Sequence, residues 1–145
     1  MEIIEPNTST EFEIYYNLRY EVLRKPWFQP KGSERDDNDE TSFHRMIIDE
    51  QNGNAIAVGR LQFNTIEEAQ IRYMAVSDTY QGMGYGSEIV KVLDNIARDK
   101  GSQKIILQSR ENALQFYKSN GYEIVEKTHL LFGEIQHWLM EKELS

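Results

Sequence analysis

The segment Ile71-Arg72-Tyr73-Met74-Ala75-Val76 leads into the turn Gln81-Gly82-Met83-Gly84-Tyr85-Gly86, and a helix-periodic run begins at once behind it. The β-branched and aromatic residues of the first segment read as a strand. From Ser87 onward Ile89, Val90, Leu93, Ile96 and Ala97 fall at helical spacing. A strand that opens through a glycine-rich turn into a helix N-terminus aims several backbone N–H groups at one point. The helix dipole adds partial positive charge there, so the turn suits a phosphate or pyrophosphate.

Two common phosphate motifs fail on this turn. A P-loop needs Gly-x-x-x-x-Gly-Lys-Ser/Thr, and Ser87 followed by Glu88 stands where the second glycine and lysine belong. A dinucleotide fingerprint needs Gly-x-Gly-x-x-Gly; Ser87 breaks the register that starts at Gly82, and no alternating βαβ series follows. What remains is Gln-x-x-Gly-x-Gly directly after a strand. An ordinary strand–helix turn uses glycine only for tightness, and glycine at 82, 84 and 86 exceeds that need.

A length of 145 residues fits one domain, 1–145, with a single core. No apolar run approaches the roughly 20 residues a membrane-spanning helix requires, so no membrane partner is expected. Met1-Glu2-Ile3-Ile4-Glu5 lacks the basic and apolar regions of a signal peptide. With no cysteine there is no disulfide framework and no thiol nucleophile, which makes a cytoplasmic setting the default. A net charge of −8 argues against nucleic acid as a partner. No metal is expected either. The histidines lack the i, i+4 spacing of a zinc helix, and Thr41 and Ile47 occupy the sixth and twelfth positions of a calcium loop counted from Asp36.

The remaining elements follow from local signals. Ile3-Ile4 predicts a short strand. Thr10 is placed to cap a helix through about Leu23. Arg24 to Thr41 is a long connection carrying Glu34, Asp36, Asp37, Asp39 and Glu40, read as a solvated loop near a substrate entrance, with Trp27 and Phe28 as an apolar wall. Phe43–Asp49 and Ala55–Phe63 form a hairpin around Asn52-Gly53-Asn54. Ala69–Val76 is the next strand, and the helix behind the glycine turn stops at Lys100-Gly101. Lys104–Gln108 is a short strand, and Ser109 caps a helix through Asn120. Tyr122–Leu131 and Ile135–Lys142 complete the chain as a strand pair. The order β α ββ β α β α ββ predicts an α/β (α+β) fold, a mixed sheet with helices on both faces.

This order, together with Gln81–Gly86 after Met74-Ala75-Val76, resembles the GCN5-related N-acetyltransferases. Ser109-Arg110-Glu111-Asn112-Ala113, Phe116-Tyr117 and Gly121-Tyr122 resemble the second half of that family's cofactor site. Many relatives carry Asn where Arg110 stands here, and Asn112 is the candidate substitute. Leu18-Arg19, Val22-Leu23-Arg24, Pro26 and Pro30–Asp36 resemble a bacterial subgroup that includes domains joined to a thioesterase-like module. The resemblance implies the acyl-CoA N-acyltransferase fold, a mostly antiparallel mixed sheet of about seven strands, and acetyl-CoA as acyl donor. Relatives often form homodimers through the late strands.

The family reaction moves an acetyl group from a thioester to an amine by direct attack, and it sets three tasks. The donor would be held by amides of Gly82, Met83, Gly84, Tyr85, Gly86 and Ser87 behind Gln81. The strand end Met74-Ala75-Val76, splayed from its neighbour, would meet the pantetheine arm, with Met74 and Val76 as its backbone contacts because alternate residues present their N–H and C=O groups on the same side. Tyr117 is the candidate proton donor to the leaving thiolate, since a phenol titrating near pH 10 stays protonated. A base would prepare the amine, and the candidates are Glu34, Asp36, Asp37, His44 and above all His137. His129 is expected at the surface or in packing. The acceptor is a primary amine of a small molecule or peptide. The alternative is a thioester-processing enzyme acting by decarboxylation or hydrolysis on acyl-CoA or an acyl carrier protein, which Arg24, Lys25, Lys31 and Arg35 would meet.

Overall fold

The computed structural model describes residues 2–144, so that Met1 and Ser145, the two ends of the expected domain, lie outside the described residues. The elements run β1 (Ile3–Ile4), α1 (Ser9–Leu23), β2 (Phe43–Ile48), β3 (Ala55–Phe63), β4 (Glu68–Val76), α2 (Tyr85–Asp99), β5 (Lys104–Arg110), α3 (Leu114–Ser119), β6 (Glu123–Leu131) and β7 (Ile135–Glu143). They form a seven-stranded sheet in the order β1-β2-β3-β4-β5-β7-β6. The β4–β5 pair is parallel and the others are antiparallel.

Helices cover both faces. On one, Tyr15, Leu18 and Leu23 of α1 pack on Met46, Val58 and Ala75. On the other, Ile89, Val90, Leu93 and Ala97 of α2, with Tyr117 of α3, pack on Ile56, Leu61, Ile71, Ile105 and Leu107. The alternation of strand residues between the faces therefore decides which helix each side chain meets.

Two helix starts differ from expectation. α1 is capped by Thr8, not Thr10, because Glu11 lies three residues on and closes a capping box: Glu11 N–H donates to Thr8 Oγ1 at 3.1 Å and Thr8 N–H to Glu11 Oε1 at 3.1 Å. Ser109 caps nothing. It pairs with Trp138 inside β5, and its Oγ donates to the Arg110 carbonyl at 2.8 Å. The β7 ladder holds the chain extended through Arg110, a 3₁₀ turn spans Glu111–Ala113, and α3 starts only at Leu114.

A bulge in β4 opens the sheet. Val58 pairs with Ala75 but Arg60 pairs with Arg72, so Tyr73 and Met74 face the single residue Gly59. Tyr73 adopts φ 56°, a left-handed conformation uncommon for a bulky side chain. β4 pairs with β5 only over Glu68–Ile71 against Lys104–Leu107. Beyond Ile71 the two strands part, and β5 stays attached to β7 alone through Arg110. The gap is thus a consequence of register.

The Arg24–Thr41 connection is solvated only in part. Two of its acidic residues, Asp36 and Asp39, are drawn in by two guanidiniums that are fully buried, Arg19 and Arg60, while Asp37 and Glu40 stay exposed. Asp39 Oδ1 accepts from Arg19 Nη1 at 2.9 Å and from Arg60 Nη1 at 3.0 Å. Asp36 Oδ1 accepts from Arg60 Nη1 at 2.6 Å, and Asp36 caps a 3₁₀ helix over Asp37–Thr41. Glu34 is buried and accepts from Gly32 N–H at 2.7 Å and Arg35 Nε at 3.3 Å. Buried charges persist where they are paired and hydrogen-bonded, and here Arg19 and Arg60 are matched by Asp36 and Asp39.

Candidate active site

The gap between β4 and β5 leads into a cleft of about 700 Å³. Along one edge runs the unpaired half of β4. Ser77 N–H donates to the Ile56 carbonyl at 2.8 Å, so the two-residue alternation turns Ala75 toward β3 and aims the peptide groups of Met74 and Val76 at the gap. The Val76 carbonyl is met by Gln81 Nε2 at 3.3 Å. That contact makes Gln81 part of the cleft wall.

At the end of β4 the glycine turn delivers the chain into α2. Gly84 is the N-cap with φ 88°, a conformation that glycine adopts without strain. A Cβ at this position would meet nothing within 4 Å, so the turn presents bare backbone to the opening. The next amides, of Tyr85, Gly86 and Ser87, have no acceptor within the helix. Gly86 serves close packing instead: a Cβ there would lie 3.1 Å from Phe116 Cζ and 3.2 Å from Val76 Cγ2. Its absence lets the first turn of α2 sit against both β4 and α3.

Of the residues expected at this site, Met74, Ala75, Val76, Gln81, Gly82, Gly84, Tyr85, Gly86, Ser87, Asn112, Tyr117 and His137 all line the cleft. Met83 does not; the residue is 64% exposed. Arg110 and Asn112 both line the cleft, from the end of β5 and the 3₁₀ turn beyond it.

Tyr117 comes from α3, on the α2 side of the sheet. Its ring packs edge-on against Phe116 and Tyr122, and its hydroxyl has no hydrogen-bond partner among the described residues. Burial pushes that hydroxyl well above the ordinary phenol value, although Arg110 pulls it back. The group is therefore a neutral donor at any working pH.

His137 is the cross-strand partner of Arg110, on the opposite side of the sheet from the Ile105 and Leu107 face. Its Nδ1 lies 3.0 Å from the Ile135 carbonyl, which can only accept, so Nδ1 carries the hydrogen and Nε2 keeps its lone pair. Burial lowers its pKa below 6.5, the Ile135 carbonyl opposes this, and His129, Arg110 and Arg24 lower it further. His137 is thus neutral at pH 7. His129 is at the surface as expected, but it also lines the cleft and stacks on His137 with ring centroids 4.5 Å apart.

The other base candidates are engaged elsewhere. His44 Nε2 lies 2.7 Å from the Asp39 carbonyl, and its Nδ1 faces the Tyr15 hydroxyl at 2.7 Å and Arg19 Nη2 at 3.4 Å. Both ring nitrogens are used, and Tyr15 itself is pushed up to about 12 by burial. Glu34 and Asp36 belong to the loop contacts described above, and Asp37 is exposed away from the cleft. Trp27 faces the cleft only through the Arg110 guanidinium, 4.5 Å over its ring, and Phe28 is turned to solvent, so the two do not form a wall. Of the proposed carrier-binding residues, Lys25 pairs with Glu21 and Arg35 with Glu34. Arg24 instead enters the cleft.

A mixed sheet parted between its parallel strands, with a glycine-capped helix start at the opening, defines the acyl-CoA N-acyltransferase class of fold. The profile of the Acetyltransferase (GNAT) family matches residues 12–122, and the chain belongs to this family of N-acetyltransferase enzymes. It is 26% identical over 141 residues to the uncharacterised N-acetyltransferase YjcF of Bacillus subtilis (strain 168), covering 97% of this chain and 98% of YjcF. Among solved structures, that of a protein from Lactobacillus plantarum assigned as an N-acetyltransferase superposes with TM-score 0.85 at 18% identity, over 99% of this chain and 98% of the other. An aminoglycoside 6'-N-acetyltransferase complexed with coenzyme A superposes with TM-score 0.80 at 16% identity, over 99% and 97%. These last two likenesses are of fold.

Proposed function

We propose that this protein is an acetyl-CoA-dependent N-acetyltransferase that acts on a primary amine by direct attack. The observation that carries the reading is the convergence at one gap in the sheet of a free strand edge, a helix N-terminus and an unbonded tyrosine hydroxyl. Coenzyme A has complementary parts: a pyrophosphate for the amides of Gly84–Ser87, an amide-bearing arm for the peptide groups of Met74 and Val76, and a thioester beyond them. The thioester supplies an activated acetyl group. Everything else falls to the chain.

The amides at the start of α2 bind the anionic end, assisted by the helix dipole. The β4 edge orients the arm as a strand orients a partner strand. Tyr117 donates its hydrogen to the departing sulfur. His137, neutral and with Nε2 unprotonated, accepts the proton that the amine loses, directly or through water. An alkylamine near pKa 10.4 is neutral in only about one molecule in 10³ at pH 7, so such a base matters.

Calorimetric titration of acetyl-CoA into the protein tests the donor site. The expected result is saturable binding that desulfo and adenine-lacking analogues weaken. No binding heat and no acetyl-CoA protection against thermal unfolding would remove the proposal.

A further inference from the structure

Among the described residues the cleft is lined by arginines and histidines and by no carboxylate, although the chain contains 24 acidic residues. Arg72 is accounted for by Asp36 at 3.4 Å. Arg24 and Arg110 are not: among the described residues neither has a carboxylate within ion-pair distance. Arg24 spends Nε on the Ser33 carbonyl at 3.0 Å and Nη1 on the Leu23 carbonyl at 2.9 Å. Arg110 crosses the cleft from β5 to reach the same Leu23 carbonyl with Nη2 at 3.5 Å, over the Trp27 ring. The two guanidiniums thus converge on one carbonyl from opposite walls, both half-buried. Two like charges held together and partly withdrawn from water repel, carbonyls and aromatic rings offset this only in part, and an anion bound between them would relieve it. Consistent with this, burial and the neighbouring Arg24 both lower the pKa of Arg110.

The face of the sheet matters here. Arg110 alternates with Ile105, Leu107 and Ser109 on β5, so it points toward α1, while the glycine turn and Tyr117 lie on the α2 and α3 side. The phosphates of the donor have their own cradle at the start of α2. The arginine pair stands across the gap, beside His137 and His129, on the side open to the second substrate.

We propose that Arg24 and Arg110 form an anion-binding subsite for the acceptor, so that the amine acetylated by this enzyme carries a carboxylate or a phosphate close to its amino group. This rests on the N-acetyltransferase reading and names its substrate class. Arginine suits the task because its planar fork binds either anion with two parallel hydrogen bonds. The amino group would then lie toward His137, whose free Nε2 faces the same side. A cationic polyamine or a neutral amine has nothing to offer the pair.

The test uses matched acceptors with acetyl-CoA and follows thiol release: amino acids against their carboxamides, and phosphorylated amino sugars against the unphosphorylated sugars. The proposal predicts that one anionic set is preferred over its neutral partners by about 10-fold or more in kcat/KM, the worth of one charge-assisted hydrogen bond. Whichever set is preferred identifies the anion as carboxylate or phosphate. Arg24→Met should raise KM for the anionic acceptor, erase that preference and leave acetyl-CoA affinity unchanged, and Arg110→Gln should do the same to the preference. Neutral or cationic amines used equally well would overturn the subsite while leaving the acetyltransferase standing. A readout without turnover is the binding of N-acetylglycine against N-acetylglycinamide, and of a phosphorylated N-acetyl sugar against its unphosphorylated form, to the CoA-loaded protein. Preference for an anion there supports the subsite even if no amine in the panel is acetylated, and equal binding within both pairs refutes it.

Discussion

Replacing Asp39 by alanine removes the carboxylate that the buried guanidiniums of Arg19 and Arg60 share. Its Oδ1 accepts from Arg19 at 2.9 Å and Arg60 at 3.0 Å, and its Oδ2 accepts from Asp36 N–H at 2.9 Å. Both guanidiniums are fully buried, so the variant leaves charge stranded in the interior. Breaking a buried pair in this way costs about 3–5 kcal/mol, a large share of the roughly 5–15 kcal/mol that holds a domain together. Asp39→Asn is not a rescue. It keeps an oxygen for the guanidiniums but turns an N–H donor toward the Asp36 N–H. Urea unfolding of the wild type and both variants measures the loss directly. The pH dependence gives an independent check. Burial pushes Asp36 and Asp39 upward, but their guanidinium and amide partners outweigh it and hold both below the ordinary 3.8. Folded values below unfolded ones mean stability that is present above about pH 4 and is lost as pH falls through the folded values. Asp39→Ala should flatten that acid limb. A loss under about 1 kcal/mol, or an unchanged acid limb, would refute the network as the fastening of this loop.

Other outcomes follow from the cleft. Tyr117→Phe should lower kcat by about 100-fold or more in steady-state assays. Acetyl-CoA affinity by calorimetry should hold, because the hydroxyl bonds to nothing in the fold; equal activity would remove Tyr117 from the donor role. Gly86→Ala forces a Cβ to within 3.1 Å of Phe116 Cζ and should weaken acetyl-CoA binding by displacing the start of α2, with a stability loss of about 1–3 kcal/mol in thermal unfolding. Activity should fall as pH drops through the His137 pKa, which lies below 6.5, and His137→Ala should lower kcat while removing that limb from the pH–rate profile. A retained limb assigns the titration to another group.

The strand, glycine turn and helix of the proposed donor site were legible in the sequence because their signals are local. The strand Ile71–Val76, the glycines and the helical spacing of Ile89, Val90 and Leu93 lie within one stretch, and each element forms where its own residues place it. Local signals also misled twice. Ser109 has the chemistry of a cap, but its cross-strand partner Trp138, 29 residues on, holds it in the sheet. Thr10 has it too, but only Thr8 has Glu11 at the right distance. The rest depends on contacts between distant segments. Arg19 and Arg60 collect Asp36 and Asp39 from a stretch whose composition alone reads as solvated. The left-handed Tyr73 in the β4 bulge carries no glycine or asparagine to announce it. His129 reaches His137 because β6 slips register between Lys127 and Leu130. Arg110 meets Leu23 across most of the chain's length.

The gap between β4 and β5 is proposed to transfer acetyl from acetyl-CoA to an amine. Mass spectrometry of an amine panel incubated with the protein and acetyl-CoA, alongside thiol detection and a control without amine, tests it most directly. An acetylated amine should appear in step with released thiol, with little thiol when amine is omitted. Thiol released at the same rate without amine would contradict it and point to hydrolysis, and acetyl-CoA left intact across the whole panel would contradict it outright.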